Sequence, residues 1–211
     1  MSLHQKDARS GRIVLVANCL LNANNKVYEF ARYPGMFRGV VDLLNEYGIG
    51  VLQMPCPEVL HMGNQRWWNS RNLYDNAGYR KLCRSLSAQL ADYLENYRVV
   101  GYEVTAILTC DGSPSCGITR SSYCEDWGGR PKEVPRTLVD QPGIFMEELI
   151  RELHARELPV PEIFGLMMDD RSLSNEEIMN AFAHWLRQKM KKEPEEAPPE
   201  EKEDTSSWQL H

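Results

Sequence analysis

Short apolar runs alternate with helical patterns along this chain, and each run stops at turn residues. Residues 12–17, 49–54, 104–109 and 162–168 are β-branched or apolar stretches of strand length. Between and after them, residues 35–47, 77–97 and 142–157 place apolar side chains at helical spacing, with Leu82, Leu86, Leu90 and Leu94 every four residues in the second. Pro142 falls near the start of the third, where a missing N–H costs nothing. Ser174-Asn175-Glu176-Glu177 has the pattern of a capping box and predicts a last helix reaching about Met190. Strand–helix alternation predicts a parallel sheet with helices on both faces. We therefore expect one α/β domain over residues 11–190, built on a mostly parallel, four-stranded, doubly wound sheet of the Rossmann or flavodoxin-like kind.

Two internal stretches lack a period. Residues 57–76 contain Trp67-Trp68 and predict a long ordered loop, of the kind that is usually functional. Residues 111–140 are rich in Gly and Pro and predict little regular structure, with 124–136 reading as an insertion. Residues 1–10 are expected to be a flexible N-terminus. Residues 191–211 hold Pro, Glu and Lys without periodicity and are expected to be a disordered acidic tail, because they offer too little apolar surface to offset ordering entropy.

The formal charge of -6 over 211 residues argues against nonspecific nucleic-acid binding, although much of it sits in the tail. No segment carries the roughly 20 apolar residues a membrane span needs. Residues 13–17 before Asn18-Cys19 are too short an apolar run for a secretory leader. Six cysteines are too few for a disulfide scaffold and contain no Cys-x-x-Cys pair, which speaks against a zinc ribbon and for a reducing cytoplasm.

Three of these cysteines fall where ligands bind in open α/β sheets, just beyond the carboxyl ends of strands. Cys19 follows the first run in Asn18-Cys19-Leu20-Leu21, ahead of an expected helix N-terminus. Cys56 follows the second in Pro55-Cys56-Pro57-Glu58, where two prolines fix the backbone. Cys116 follows the third in Ser113-Pro114-Ser115-Cys116-Gly117, a loop whose amides are free to face a sulfide or an anion. Three converging thiolates suit an iron–sulfur cluster with one open iron. Cys110, directly after the third run, is an alternative to Cys116; Cys83 on its helix reads as core, and Cys124 as a nearby or inert thiol.

Those three elements resemble the signatures of the thiouracil desulfurase family, compact α/β proteins that hold a [4Fe-4S] cluster on three cysteines. The resemblance covers roughly residues 12–117. It implies Cys19, Cys56 and Cys116 as cluster ligands, Glu58 as an acid/base or substrate-orienting group, and Ser113 as a hydrogen-bonding neighbour. The chain departs from the family in two places. An Arg-Tyr-Asp-Gly element is echoed only by Arg32-Tyr33-Pro34-Gly35, and the residues after Cys-Pro-Glu are replaced by His61-Met62-Gly63-Asn64-Gln65-Arg66-Trp67-Trp68.

The resulting expectation is a desulfurase that removes sulfur from a thiolated nucleobase or similar thiocarbonyl compound, either a small molecule or a thiolated RNA base. Arg66, Trp67 and Ser115 are the expected substrate contacts, the tryptophan by stacking on a flat ring. A metal- or redox-sensing module without catalysis is the alternative.

Overall fold

The computed structural model describes residues 7–129 and 136–191; the expected acidic tail beyond 191, most of the expected flexible N-terminus and part of the expected insertion lie outside the described residues. Four strands, β1 (Arg12–Ala17), β2 (Gly50–Met54), β3 (Glu103–Cys110) and β4 (Glu162–Leu166), form one all-parallel sheet in the order β2-β1-β3-β4. Four long helices flank it: α1 (Arg38–Glu46), α2 (Ala77–Val99), α3 (Ile144–Ala155) and α4 (Asn175–Lys191). The chain is thus a doubly wound α/β domain of the expected class.

The strand order reverses direction between β1 and β3. Right-handed crossovers then place α2 and α3 on one face and leave α1 and α4 for the other. The packing agrees, since α2 lies along α3 while Met179 of α4 sits against Gly39 of α1. Val14, Leu15 and Val16 of β1 and Ala106, Ile107 and Leu108 of β3 are sealed between the two helix layers. Such central strands read as continuous apolar runs because both of their faces are covered. By contrast β2 is an edge strand, exposed at Gly50, Val51 and Gln53, so only its last residue, Met54, is core. Cys56 therefore follows a largely exposed strand rather than a buried one.

The capping box forms as expected. Ser174 Oγ accepts from the Glu177 amide (3.1 Å), while the Glu177 carboxylate accepts from the Ser174 amide (2.7 Å). The two stretches without a period hold more structure than their composition suggests. Residues 57–76 contain the helical turns Pro57–Met62 and Arg71–Tyr74. Trp68–Asn69 pairs with Gly128–Gly129, and Ser121–Tyr123 with Thr137–Val139, as short antiparallel ribbons. Two- and three-residue strands are held by their partners and leave no periodic signature. None of the described helices is long and apolar enough to cross a membrane.

Candidate functional site: a four-cysteine cavity at the strand reversal

A cavity opens beyond the carboxyl ends of β1, β2 and β3, next to the point where strand order reverses. Its free volume of about 60 Å³ is several times the roughly 10–15 Å³ that admits one water. Cys19, Cys56, Cys110 and Cys116 all line it. The structure therefore brings together the three expected ligands and keeps Cys110 beside them.

Each thiol reaches the cavity by a different local device. Cys19 lies in the four-residue turn Asn18–Leu21, not at the start of a long helix, and its carbonyl accepts from Tyr33 Oη (2.8 Å). The displaced Arg32-Tyr33 element thus buttresses the first cysteine from the side, while Arg32 itself donates to the carbonyls of Asp170 and Leu173. Cys56 is the N-cap residue of the Pro57–Met62 turn, and Pro57 occupies the first helical position, where its ring is tolerated.

Cys116 is held from below by α3. The first amides of that helix have no partners within the helix, and the cysteine loop supplies them. Ile144 N bonds to Pro114 O (2.9 Å), Phe145 N to Ser115 O (3.0 Å) and Gly143 N to Gly117 O (2.8 Å). The approach is so close that a Cβ at Gly143 would collide with the Ser115 backbone. Ser113 Oγ accepts from the amides of Ser115 (3.2 Å) and Cys116 (3.1 Å). These amides are spent inside the loop rather than facing an anion, contrary to the expectation.

Asp111 fixes the loop's far side by accepting from the amides of Ile118 (2.8 Å), Thr119 (3.1 Å) and Arg120 (3.2 Å). Ser115 proves structural. It is fully buried, its hydroxyl is bonded to Tyr79 Oη at 2.6 Å, and it is not on the cavity wall.

Glu58 and Ser113 meet on the cavity wall as expected: Ser113 Oγ donates to Glu58 Oε1 (3.3 Å). Glu58 is buried and faces Arg66, whose Nη2 lies 3.6 Å from Glu58 Oε2. Arg66 also donates to the carbonyls of Gly63 (2.9 Å) and Asn25 (2.9 Å). Trp67 is corrected: it is 39% exposed, tilted against Tyr28, and off the cavity, whereas Trp68 lines it and is 3% exposed. Trp68 lies in the two-residue strand that pairs with Gly128–Gly129, whereas Trp67 precedes it. Cys124 packs behind this wall against Phe30 and Trp68, Cys83 is core, and exposed His61 lies edge-on to Tyr79. Arg71 is structural, donating to Pro142 O and pairing with Asp75 and Glu147.

Sequence reasoning missed Lys26, Asp169 and Arg136. The Lys26 ammonium is buried at the cavity with Nζ 3.0 Å from Cys110 Sγ and 3.0 Å from Asp169 Oδ1, and Arg136 pairs with Asp169 from the other side (3.2 Å). Burial alone would drive Lys26 toward neutrality. Asp169 and then the Cys110 and Cys19 sulfurs outweigh it, raising its pKa well above the usual lysine value. Lys26 thus stays charged.

The thiols are shifted upward as well, which for a thiol favours the neutral form. A hydrogen bond shared with Cys19, then burial, raises Cys110, with Lys26 opposing. Burial raises Cys116, and Cys56 is pushed up to about 11 by burial and then by Glu58, against the amides of Val59 and Glu58. A raised thiol pKa means that a soft metal binding here competes with protons for the sulfurs. Among the described residues, no three His, Cys, Asp or Glu side chains are grouped to hold a single metal ion.

Fold and site together define an α/β protein with a cysteine-lined cavity at its topological switch point. No family model and no solved structure matches the sequence. The chain is similar to Uncharacterized protein MJ0003 of Methanocaldococcus jannaschii, with 30% identity over 152 residues that span 72% of this chain and 84% of that protein. The chain belongs to the family of that protein.

Proposed function

We propose that this cavity is the active site of an iron–sulfur-dependent desulfurase of the thiouracil desulfurase type, acting on a thiolated nucleobase or a similar thiocarbonyl compound. The observation that carries the reading is four thiols on one cavity wall beside a buried, hydrogen-bonded carboxylate. A [4Fe-4S] group suits this donor set in three respects. The donors are soft, and they come from separate loops. Among the described residues no three of them are grouped to hold a single ion, whereas a cuboidal group presents its irons at separate corners. Lys26, Arg66 and Arg136, set against Glu58 and Asp169, leave the wall with an excess of positive charge that would balance an anionic group.

Cys19, Cys56 and Cys116 would hold it, with Cys110 beside them on the same wall, its sulfur 3.0 Å from Lys26 Nζ. When bound, such a group supplies one iron without a protein ligand, a Lewis acid with affinity for thiocarbonyl sulfur. Glu58 takes a proton from the water that attacks the thiocarbonyl carbon. Ser113 and Arg66 fix the Glu58 carboxylate, and Trp68 and Phe30 wall the site against bulk water. One water enters, the C=S bond is replaced by C=O, and sulfur leaves as sulfide. Anaerobic incubation of the iron-loaded protein with 2-thiouracil, following sulfide and uracil, tests this. Sulfide and uracil in equal amounts support it; an iron-loaded protein that releases neither contradicts it.

A redox-sensing module is the second reading, favoured by the presence of Cys19 and Cys110 on the same cavity wall. A Cys19–Cys110 disulfide formed reversibly on mild oxidation, with no turnover of thiocarbonyl compounds, would favour it over the first.

A further inference from the structure

The Lys26 side chain is only 7% exposed, yet it holds its charge on the cavity wall because Asp169 and the Cys110 and Cys19 sulfurs outweigh burial. An ammonium has three N–H donors and no acceptor. One donor of Lys26 goes to Cys110 Sγ and one to Asp169 Oδ1, each at 3.0 Å. The third has no acceptor among the described residues. Both groups that hold Nζ line the cavity themselves, so the nitrogen lies at the wall rather than behind it.

The distribution of charge points to the same atom. Arg66 faces Glu58 one to one, whereas Lys26 and Arg136 share the single carboxylate of Asp169. The wall's surplus positive charge therefore sits at the Lys26 end. Arg136 is engaged by Asp169 Oδ2, by the Asp169 carbonyl and by the face of Phe30. Lys26 is the cation left in contact with sulfur.

A buried cation with a spare donor favours an anion beside it. We propose that Lys26 is a further catalytic residue of this site, whose ammonium takes up the negative charge that develops on the substrate sulfur. This rests on the desulfurase reading. When water adds to the thiocarbonyl carbon and passes a proton to Glu58, the π pair of C=S moves onto sulfur and leaves an anionic C–S group. As the new hydroxyl becomes C=O, the C–S pair departs with the sulfur, the hydroxyl proton passes to it, and hydrosulfide leaves. The Glu58 proton returns to water, and no oxidant or reductant is needed. Lys26 keeps its proton throughout and acts by its charge and one N–H. A donor fixed in advance where charge appears is most effective in a site closed to bulk water. Asp169 fixes Nζ, and Arg136 keeps that carboxylate from cancelling the ammonium.

The test compares the iron-loaded full chain with Lys26→Met and Lys26→Arg, by iron content, by absorption titration with sodium hydrosulfide and by turnover of 2-thiouracil. Lys26→Met leaves Asp169 paired with Arg136 and removes only the ammonium. Its hydrosulfide affinity should fall about tenfold or more, the worth of one charge-assisted hydrogen bond. Its kcat should fall about 10²–10³-fold, as for loss of a donor to a developing anion, while KM for the neutral substrate changes little. Lys26→Arg keeps the charge and should stay closer to wild type in both readouts. Unchanged affinity and kcat in iron-loaded Lys26→Met, or equal losses in the two variants, overturns the proposal. A Lys26→Met chain that takes up no iron also overturns it, since the lysine is then a support of the fold or of the cysteines. Hydrosulfide binding that depends on Lys26, in a wild type that does not turn over 2-thiouracil, removes the desulfurase reading and leaves the anion-holding lysine. Turnover that Lys26→Met does not slow removes the lysine's role alone.

Discussion

Ser113 Oγ lies 3.3 Å from Glu58 Oε1, and that single contact ties the loop after β3 to the helical turn after β2 across the mouth of the cavity. The same hydroxyl oxygen accepts from the amides of Ser115 and Cys116. One serine thus sets both the position of the carboxylate and the course of the cysteine loop. Replacing Glu58 by Gln should keep these contacts in outline while removing the proton acceptor. We expect a fall in kcat of about 10²–10⁴, with ligand binding close to wild type and a lower melting temperature, because the buried Arg66 loses its carboxylate. Steady-state kinetics and a melting curve on the same preparation check this.

Ser113→Ala should behave differently, because it removes the acceptor for two amides as well as the Glu58 partner. Stability should drop by about 1–3 kcal/mol, the usual cost of stranding buried hydrogen-bonding groups, and activity should fall alongside it. Urea unfolding of the variant reads the first effect, and turnover the second.

Asp169 is the shared anion of Lys26 and Arg136. Asp169→Ala would leave the Lys26 ammonium buried without a carboxylate, which should cost about 3–5 kcal/mol. Lys26→Met in the same background should recover part of that loss, because it removes the stranded charge. Denaturant midpoints of the single and double variants decide the matter, and a double variant no more stable than the single one would contradict the buried-charge account.

The strand-end cysteines were legible because an α/β alternation and its turn residues are local signals, and both survive in the structure. Lys26 and Asp169 were not. Lys26 sits in Asn24-Asn25-Lys26, a stretch with no period, and its partner is 143 residues away in sequence. A buried ion pair across such a distance leaves no pattern in either segment. Trp67 and Trp68 were legible as a pair but not as individuals, because the two-residue ribbon that decides which one faces the cavity is set by Gly128–Gly129 far along the chain. Ser115 was drawn to the site by the motif around Cys116, yet Tyr79 holds its hydroxyl away from the cavity. Motif membership does not specify direction.

Gly143 is where helix and cysteine loop press together. Gly143→Ala should destabilise the fold by about 1–3 kcal/mol through overpacking and shift the Cys116 loop off α3. Hydrogen exchange of the Ile144 and Phe145 amides, which bond to that loop, should quicken relative to amides in the middle of α2.

The α2–α3 face predicts an acid dependence. Asp75 has its pKa lowered chiefly by its hydrogen bond to Arg80, against some burial, and Arg80 also bonds Glu147 and Glu148. A carboxylate with a folded pKa below its unfolded value contributes stability above the unfolded pKa of about 3.9, and loses it as pH falls through the folded one. Stability should therefore decline in acid below about pH 4, and Asp75→Asn should flatten that limb without altering stability's slope near neutrality. Thermal unfolding against pH measures both.

Iron and sulfide content of the anaerobically reconstituted chain tests the central claim most directly. We predict about four iron and four sulfide per chain, lost in each of Cys19→Ser, Cys56→Ser and Cys116→Ser and retained in Cys110→Ser. A chain that takes up no iron, or binds one zinc through these same cysteines, would contradict it.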